Sequence, residues 1–182
     1  MRTSPIRKSH NRLQGYNYSQ PNYYFVTTCV ENKREWFGKI LNNEMILNSY
    51  GKIVLKHLEE LPGRYKNIDL DTFVVMPNHV HAIVIIVCDN KLPGNSQVCR
   101  DRRARLYDQK KSLSKIIGDV KSFSSREINK ITPVQNKFKW QRSFYDHVIR
   151  NEQSLQKIRE YIINNPANWA DDDENTNKTK PQ

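Results

Sequence analysis

The chain has 182 residues, a formal net charge of +11 and a sequence pI near 9.6, a size that one domain accommodates. Its longest apolar run, Ala82–Val87, falls far short of the ~20 residues that cross a bilayer, and Met1–Lys8 lacks the apolar segment of a secretory leader. Cys29, Cys88 and Cys99 are odd in number with no zinc-type pairing, so the expected setting is a reducing cytoplasm with free thiols.

In chain order, residues 1–22 read as a basic, turn-rich arm. Tyr23–Val30 is aromatic and β-branched, a strand signal. A helix follows with Ile53, Val54, His57, Leu58 and Leu61 on one face, stopped by Pro62-Gly63. Ile68–Met76 and His79–Val87 read as an antiparallel pair of strands interrupted at Pro77-Asn78. Residues 88–111 are polar and rich in arginine, a loop. Leu113, Ile116, Ile117, Val120 and Phe123 then form the apolar stripe of a second helix. Phe138–Ile149 reads as extended, and a last helix runs from an Asn151 N-cap to Pro166. The acidic, polar stretch 171–182 has the composition of a disordered tail, leaving 23–170 as a single domain. The order β-α-β-β-α-β plus a helix predicts an α+β, ferredoxin-like fold with an antiparallel sheet and helices on one face.

The excess charge is concentrated. Residues 1–22 hold four basic and no acidic residues, residues 91–130 hold eleven against four, and the remainder balances. Such blocks point to a polyanionic partner, with nucleic acid the leading class.

Two histidines stand out inside the most apolar segment. Strand alternation puts His79 and His81 on one face and Val80 on the other. Two imidazoles so placed either pack or share one metal ion. On the last helix Tyr161 and Asn165 are four apart, one above the other at the edge of the Leu155/Ile158/Ile162 stripe. If that helix packs beside the histidine strand, the two imidazoles, the phenol and the amide converge. A divalent cation on His79, His81 and Asn165, with Tyr161 beside it as nucleophile, is one outcome. Two others stay open on the residues alone. One is a non-catalytic, ferredoxin-like nucleic-acid-binding module, which leaves the histidine pair unexplained. The other is a metal hydrolase drawing further ligands from His10, His57 or His147.

Met76-Pro77-Asn78-His79-Val80-His81 resembles the HUH signature of single-tyrosine transposases of the insertion-sequence type. Trp140–His147, followed by Arg159-Glu160-Tyr161-Ile162-Ile163-Asn164-Asn165-Pro166, resembles their C-terminal block. The resemblance spans Tyr23 to Trp169 and is strongest to the REP-associated tyrosine transposases (RAYT), which act on hairpins of repetitive extragenic palindromes. It implies a single-stranded DNA endonuclease and strand transferase working through a 5′-phosphotyrosine. The implied nucleophile is Tyr161, and the implied ligands of a divalent metal, Mg²⁺ or Mn²⁺, are His79, His81 and Asn165. Single-stranded or hairpin DNA is the implied partner, no membrane is expected, and both a monomer and a homodimer are compatible.

Overall fold

A computed structural model describes residue 13, residues 15–87 and residues 112–176. The expected arginine-rich loop, most of the basic arm, and the end of the expected tail lie outside the described residues. Among the described residues, no helix is long and apolar enough to cross a membrane.

Among the described residues there are six strands and four α-helices, in chain order β1 (Asn22–Cys29), β2 (Gly38–Leu41), β3 (Glu44–Leu47), α1 (Ser49–Glu59), α2 (Leu61–Arg64), β4 (Ile68–Val75), β5 (His79–Ile86), α3 (Leu113–Ile131), β6 (Tyr145–Ile149) and α4 (Glu152–Asn164). The central sheet has the order β4-β5-β1-β6 and every neighbouring pair is antiparallel. This is the mixed α+β architecture with an antiparallel sheet that the sequence predicts. The helices, however, divide between the two faces.

Alternation along the strands creates those faces. Tyr24 and Val26 of β1, Val80, Ala82, Val84 and Ile86 of β5, and Val148 of β6 join the large core under α1 and α3. Phe25, Ile83 and Ile149 point the other way, where Leu155, Ile158 and Ile162 of α4 cover them. The register sets Thr27 beside His81 and Cys29 beside His79, so both histidines open onto the α4 side. Cys29 is buried and lies outside any disulfide among the described residues.

Several local expectations are revised. The helix does not end at Pro62-Gly63. It breaks at Glu60, and Pro62 sits in the first turn of α2, where its missing N–H removes no helical hydrogen bond. The hairpin β2–β3 was not expected. Its turn residues Asn42 and Asn43 have φ of 51° and 64°, the left-handed pair that a two-residue hairpin turn requires. Of the extended segment at 138–149 only Tyr145–Ile149 is a strand, although Trp140 makes a single bridge to Val30. On α3 the stripe continues through Ser124 and Ile128, and Phe123 is only half-buried.

Two features lock α4 in place. The Asn151 side chain accepts from Ser154 N at 2.8 Å, capping the helix as anticipated. On β4 the register shifts between Leu70 and Phe73. From that irregularity Asp71 receives three hydrogen bonds from Arg159 of α4, Nε to Oδ1 at 2.9 Å, Nε to Oδ2 at 3.1 Å and Nη2 to Oδ2 at 2.5 Å.

Candidate active site

The site lies where the start of β5 meets the last turn of α4. His79 and His81 are 0% and 2% exposed, and their Nε2 atoms face each other at 3.0 Å. The Tyr161 hydroxyl is 3.3 Å from His81 Nε2. Phe25 stacks on the His81 ring, with centroids 5.4 Å apart and planes at 25°, and Trp169 flanks His79.

The far side of each imidazole is held. The Asn78 amide nitrogen donates to Lys33 O at 3.0 Å and to Glu174 O at 2.8 Å, which fixes the amide so that its oxygen faces His79 Nδ1 at 2.8 Å. His79 Nδ1 must then carry the proton, leaving a lone pair on Nε2. His81 Nδ1 is 2.8 Å from Thr27 Oγ1. A hydroxyl donates or accepts by rotation, so His81 also has access to the tautomer with a lone pair on Nε2. In those tautomers the two Nε2 lone pairs would face one spot, an arrangement that suits a shared cation.

Asn165 is 2% exposed, and its amide nitrogen donates to Asp172 Oδ2 at 3.1 Å. Its Oδ1 is buried with no hydrogen-bond partner among the described residues. Such an orphaned acceptor is costly unless something electropositive meets it. Asp172 supplies a further oxygen. Its carboxylate and the two histidine nitrogens lie within 4.8 Å of one another, with all three residues buried. The donor set, two imidazoles with amide and carboxylate oxygens, therefore fits a divalent cation.

Asp172 was missed by reading the sequence, because Asp171–Glu174 falls in the stretch expected to be a disordered tail. Instead a short 3₁₀ turn at Trp169–Asp171 folds the chain back over the site. Asp172 and Glu174 are both buried at 7% exposure, and Lys33 pairs with Glu174 at 3.1 Å. Trp169, an apolar anchor just past Pro166, was the available signal. Burial raises the Tyr161 pKa above the ordinary phenol value, and the carboxylates of Asp172, Asp173 and Glu174 add to this, while the Asn165 amide pulls it the other way.

The structure thus brings His79, His81 and Tyr161 together, and Asn165 joins them through Asp172. The other histidines stand elsewhere. His57 is buried between α1 and α3, with Nε2 2.8 Å from Glu127, and His147 is exposed on β6. His10 lies outside the described residues.

Residues 104–165 match the family model described as transposase IS200 like. The interval contains Tyr161 and Asn165 and ends before Asp172. An uncharacterized protein of Haemophilus influenzae is 36% identical over 167 residues, covering 88% of this chain and 89% of its own. The solved structure of a REP-associated tyrosine transposase bound to a REP hairpin superposes with a TM-score of 0.56 at 16% identity, covering 87% of this chain and 74% of that one. A putative transposase from Deinococcus radiodurans gives a TM-score of 0.46 at 14% identity, with 85% and 96% covered. The second of these solved structures is a looser likeness, and the first speaks to the fold. Across α3 to α4 the chain is thus similar to the IS200-like transposase family, and it shares the fold of the hairpin-bound structure.

Proposed function

We propose that this chain is a transposase, a single-stranded DNA endonuclease and strand transferase with Tyr161 as nucleophile. The observation that carries this reading is the Tyr161 hydroxyl 3.3 Å from His81 Nε2, whose partner nitrogen on His79 is 3.0 Å away. In the reaction the phenolic oxygen attacks the scissile phosphorus and the P–O3′ bond breaks. The strand's 5′ end is left on Tyr161 as a phosphotyrosine, and a free 3′-hydroxyl departs with the proton. The phosphoester is conserved in that link, so the 3′-hydroxyl of another strand reverses the step without ATP.

His79, His81 and the Asn165 oxygen would hold Mg²⁺ or Mn²⁺, with the Asp172 carboxylate as a further oxygen donor. When bound there, such a cation would supply Lewis-acid polarisation of the phosphate and would favour the Tyr161 phenolate. Within the chain, Asn78 and Thr27 orient the two imidazoles, Phe25 and Trp169 wall them off from water, and Arg159 fixes the helix that presents the phenol. By likeness to the REP-bound fold, the preferred substrate is a hairpin with a single-stranded flank.

The test is denaturing electrophoresis of a labelled hairpin oligonucleotide incubated with the protein and Mn²⁺. The expected result is labelled DNA covalently attached to protein, mapped to Tyr161 and absent after chelation. Two released products with no adduct would indicate a hydrolase and overturn the reading.

A further inference from the structure

Beside the site, the turn after β1 and the extended segment before β6 form a recess lined by Glu31, Arg34, Trp36, Lys137 and Lys139. Its walls are built rather than loose. Glu31 N donates to Lys139 O at 2.9 Å, and Val30 bridges Trp140. The Asn129 side chain clamps Phe138 from both sides, Nδ2 donating to its carbonyl at 3.0 Å and Oδ1 accepting from its N–H at 2.8 Å. Phe138 and Trp140 are buried, at 1% and 8% exposure. Alternation therefore turns Lys137 and Lys139 outward together. Trp36 packs edge-on to Phe138 with ring centroids 5.3 Å apart.

The recess has three cations against one carboxylate. Among the described residues Arg34, Lys137 and Lys139 have no ion-pair partner, in contrast to Lys33 next door, which is held by Glu174. It is also close to the chemistry. Val30 N donates to Asn78 O at 2.8 Å, so the Lys139 backbone lies about two strand spacings, ~10 Å, from that of His79.

We propose that this recess is a subsite for the sugar-phosphate backbone of the DNA strand flanking the cleaved bond, with Lys137, Lys139 and Arg34 receiving the phosphates. The proposal rests on the DNA-cleaving reading of the site but makes a separate claim about which surface carries the strand. Lysine and arginine point charges read no sequence, so the contact sets position and affinity, not base preference.

The experiment measures binding of a fluorescein-labelled DNA single strand to the full chain by anisotropy across a salt series. Four proteins are compared: wild type, Lys137→Gln with Lys139→Gln, the same pair changed to Arg, and Lys66→Gln. Lys66 lies in the turn before β4, at the end of the sheet away from His79. All of the substituted side chains are exposed, so the variants are expected to fold. The double Gln variant should lower the slope of log K against log salt by about 1.4, near 0.7 per lost contact. The Arg pair should keep the wild-type slope, and Lys66→Gln should change little. If the double Gln variant matches Lys66→Gln while wild type still binds, the subsite is refuted and the cleavage reading stands. Failure of wild type to bind the single strand would overturn both.

Discussion

Under α1 and α3, β5 contributes Val80, Ala82, Val84 and Ile86 to a core that runs to Ile116, Ile117, Val120 and Ile128. Toward α4 the same strand contributes Ile83 and two histidines, and among the described residues the apolar cluster there has six buried members. One β-strand thus serves a thick apolar layer on one side and a thin layer with a polar pocket on the other. Rigidity comes from the first face, and the proposed chemistry belongs to the second. A substitution should therefore tax stability or chemistry according to the parity of its position on the strand.

The sharpest break would come from Tyr161→Phe. Loss of the phenolic oxygen should reduce covalent adduct formation by at least about 10⁴-fold, while DNA affinity and thermal stability stay near wild type. Normal cleavage by this variant would move the nucleophile elsewhere. Next, His79→Ala and His81→Ala should each weaken Mn²⁺ binding by at least about 100-fold in calorimetry, because both imidazoles face one spot. Wild-type binding by either variant would separate the pair. On the opposite face, Ile116→Ala empties a fully buried site and should cost about 2–5 kcal/mol in urea unfolding, with Mn²⁺ affinity unchanged. A large loss of Mn²⁺ affinity there would mean that the faces are coupled.

The smallest effect concerns the Arg159–Asp71 link. Burial works to raise the Asp71 pKa, but the Arg159 and Thr72 hydrogen bonds outweigh it and hold the carboxyl below its usual range. The folded state therefore binds this proton less readily than the unfolded chain. The resulting stability is present above the ordinary aspartate pKa and is lost as pH falls through the depressed folded value. Arg159→Gln should cost about 1–2 kcal/mol at neutral pH, since the pair is partly exposed. It should also flatten the acid limb of a stability–pH curve, and an unchanged limb would assign that dependence to other carboxyls.

The sequence made β1, β4, β5 and the apolar stripes of α1, α3 and α4 legible, because burial on one face imposes a period that local reading detects. The His79/His81 pair follows from the two-residue strand repeat, and Tyr161 with Asn165 from helical spacing. Their meeting in one pocket is a tertiary fact. The unexpected features depend on distant partners. Phe138 and Trp140 look like strand residues, yet Asn129 and Ser124 of α3 hold them, with Trp140 Nε1 donating to Ser124 Oγ at 3.0 Å. Asp172 sits in a stretch whose composition suggests solvation, yet it is buried against His79 and His81 of β5, and the Asn165 amide donates to its carboxylate. The β2–β3 hairpin left a readable trace in Asn42-Asn43, but its strands carry too little buried surface to produce a clear alternation.

Asn78 gives the pocket a polarity that shape alone would not. Its side chain is an amide with two donors on one arm and one acceptor on the other, and its surroundings use that asymmetry: two carbonyls from residues 33 and 174 on the donor side, an imidazole N–H on the acceptor side. Aspartate has nearly the same outline but would set a negative oxygen against both carbonyls. A single side chain thereby works as a directional connector. It joins a turn near the start of the domain, the strand bearing the histidines and the segment that closes over them, and it allows them to fit together in only one sense.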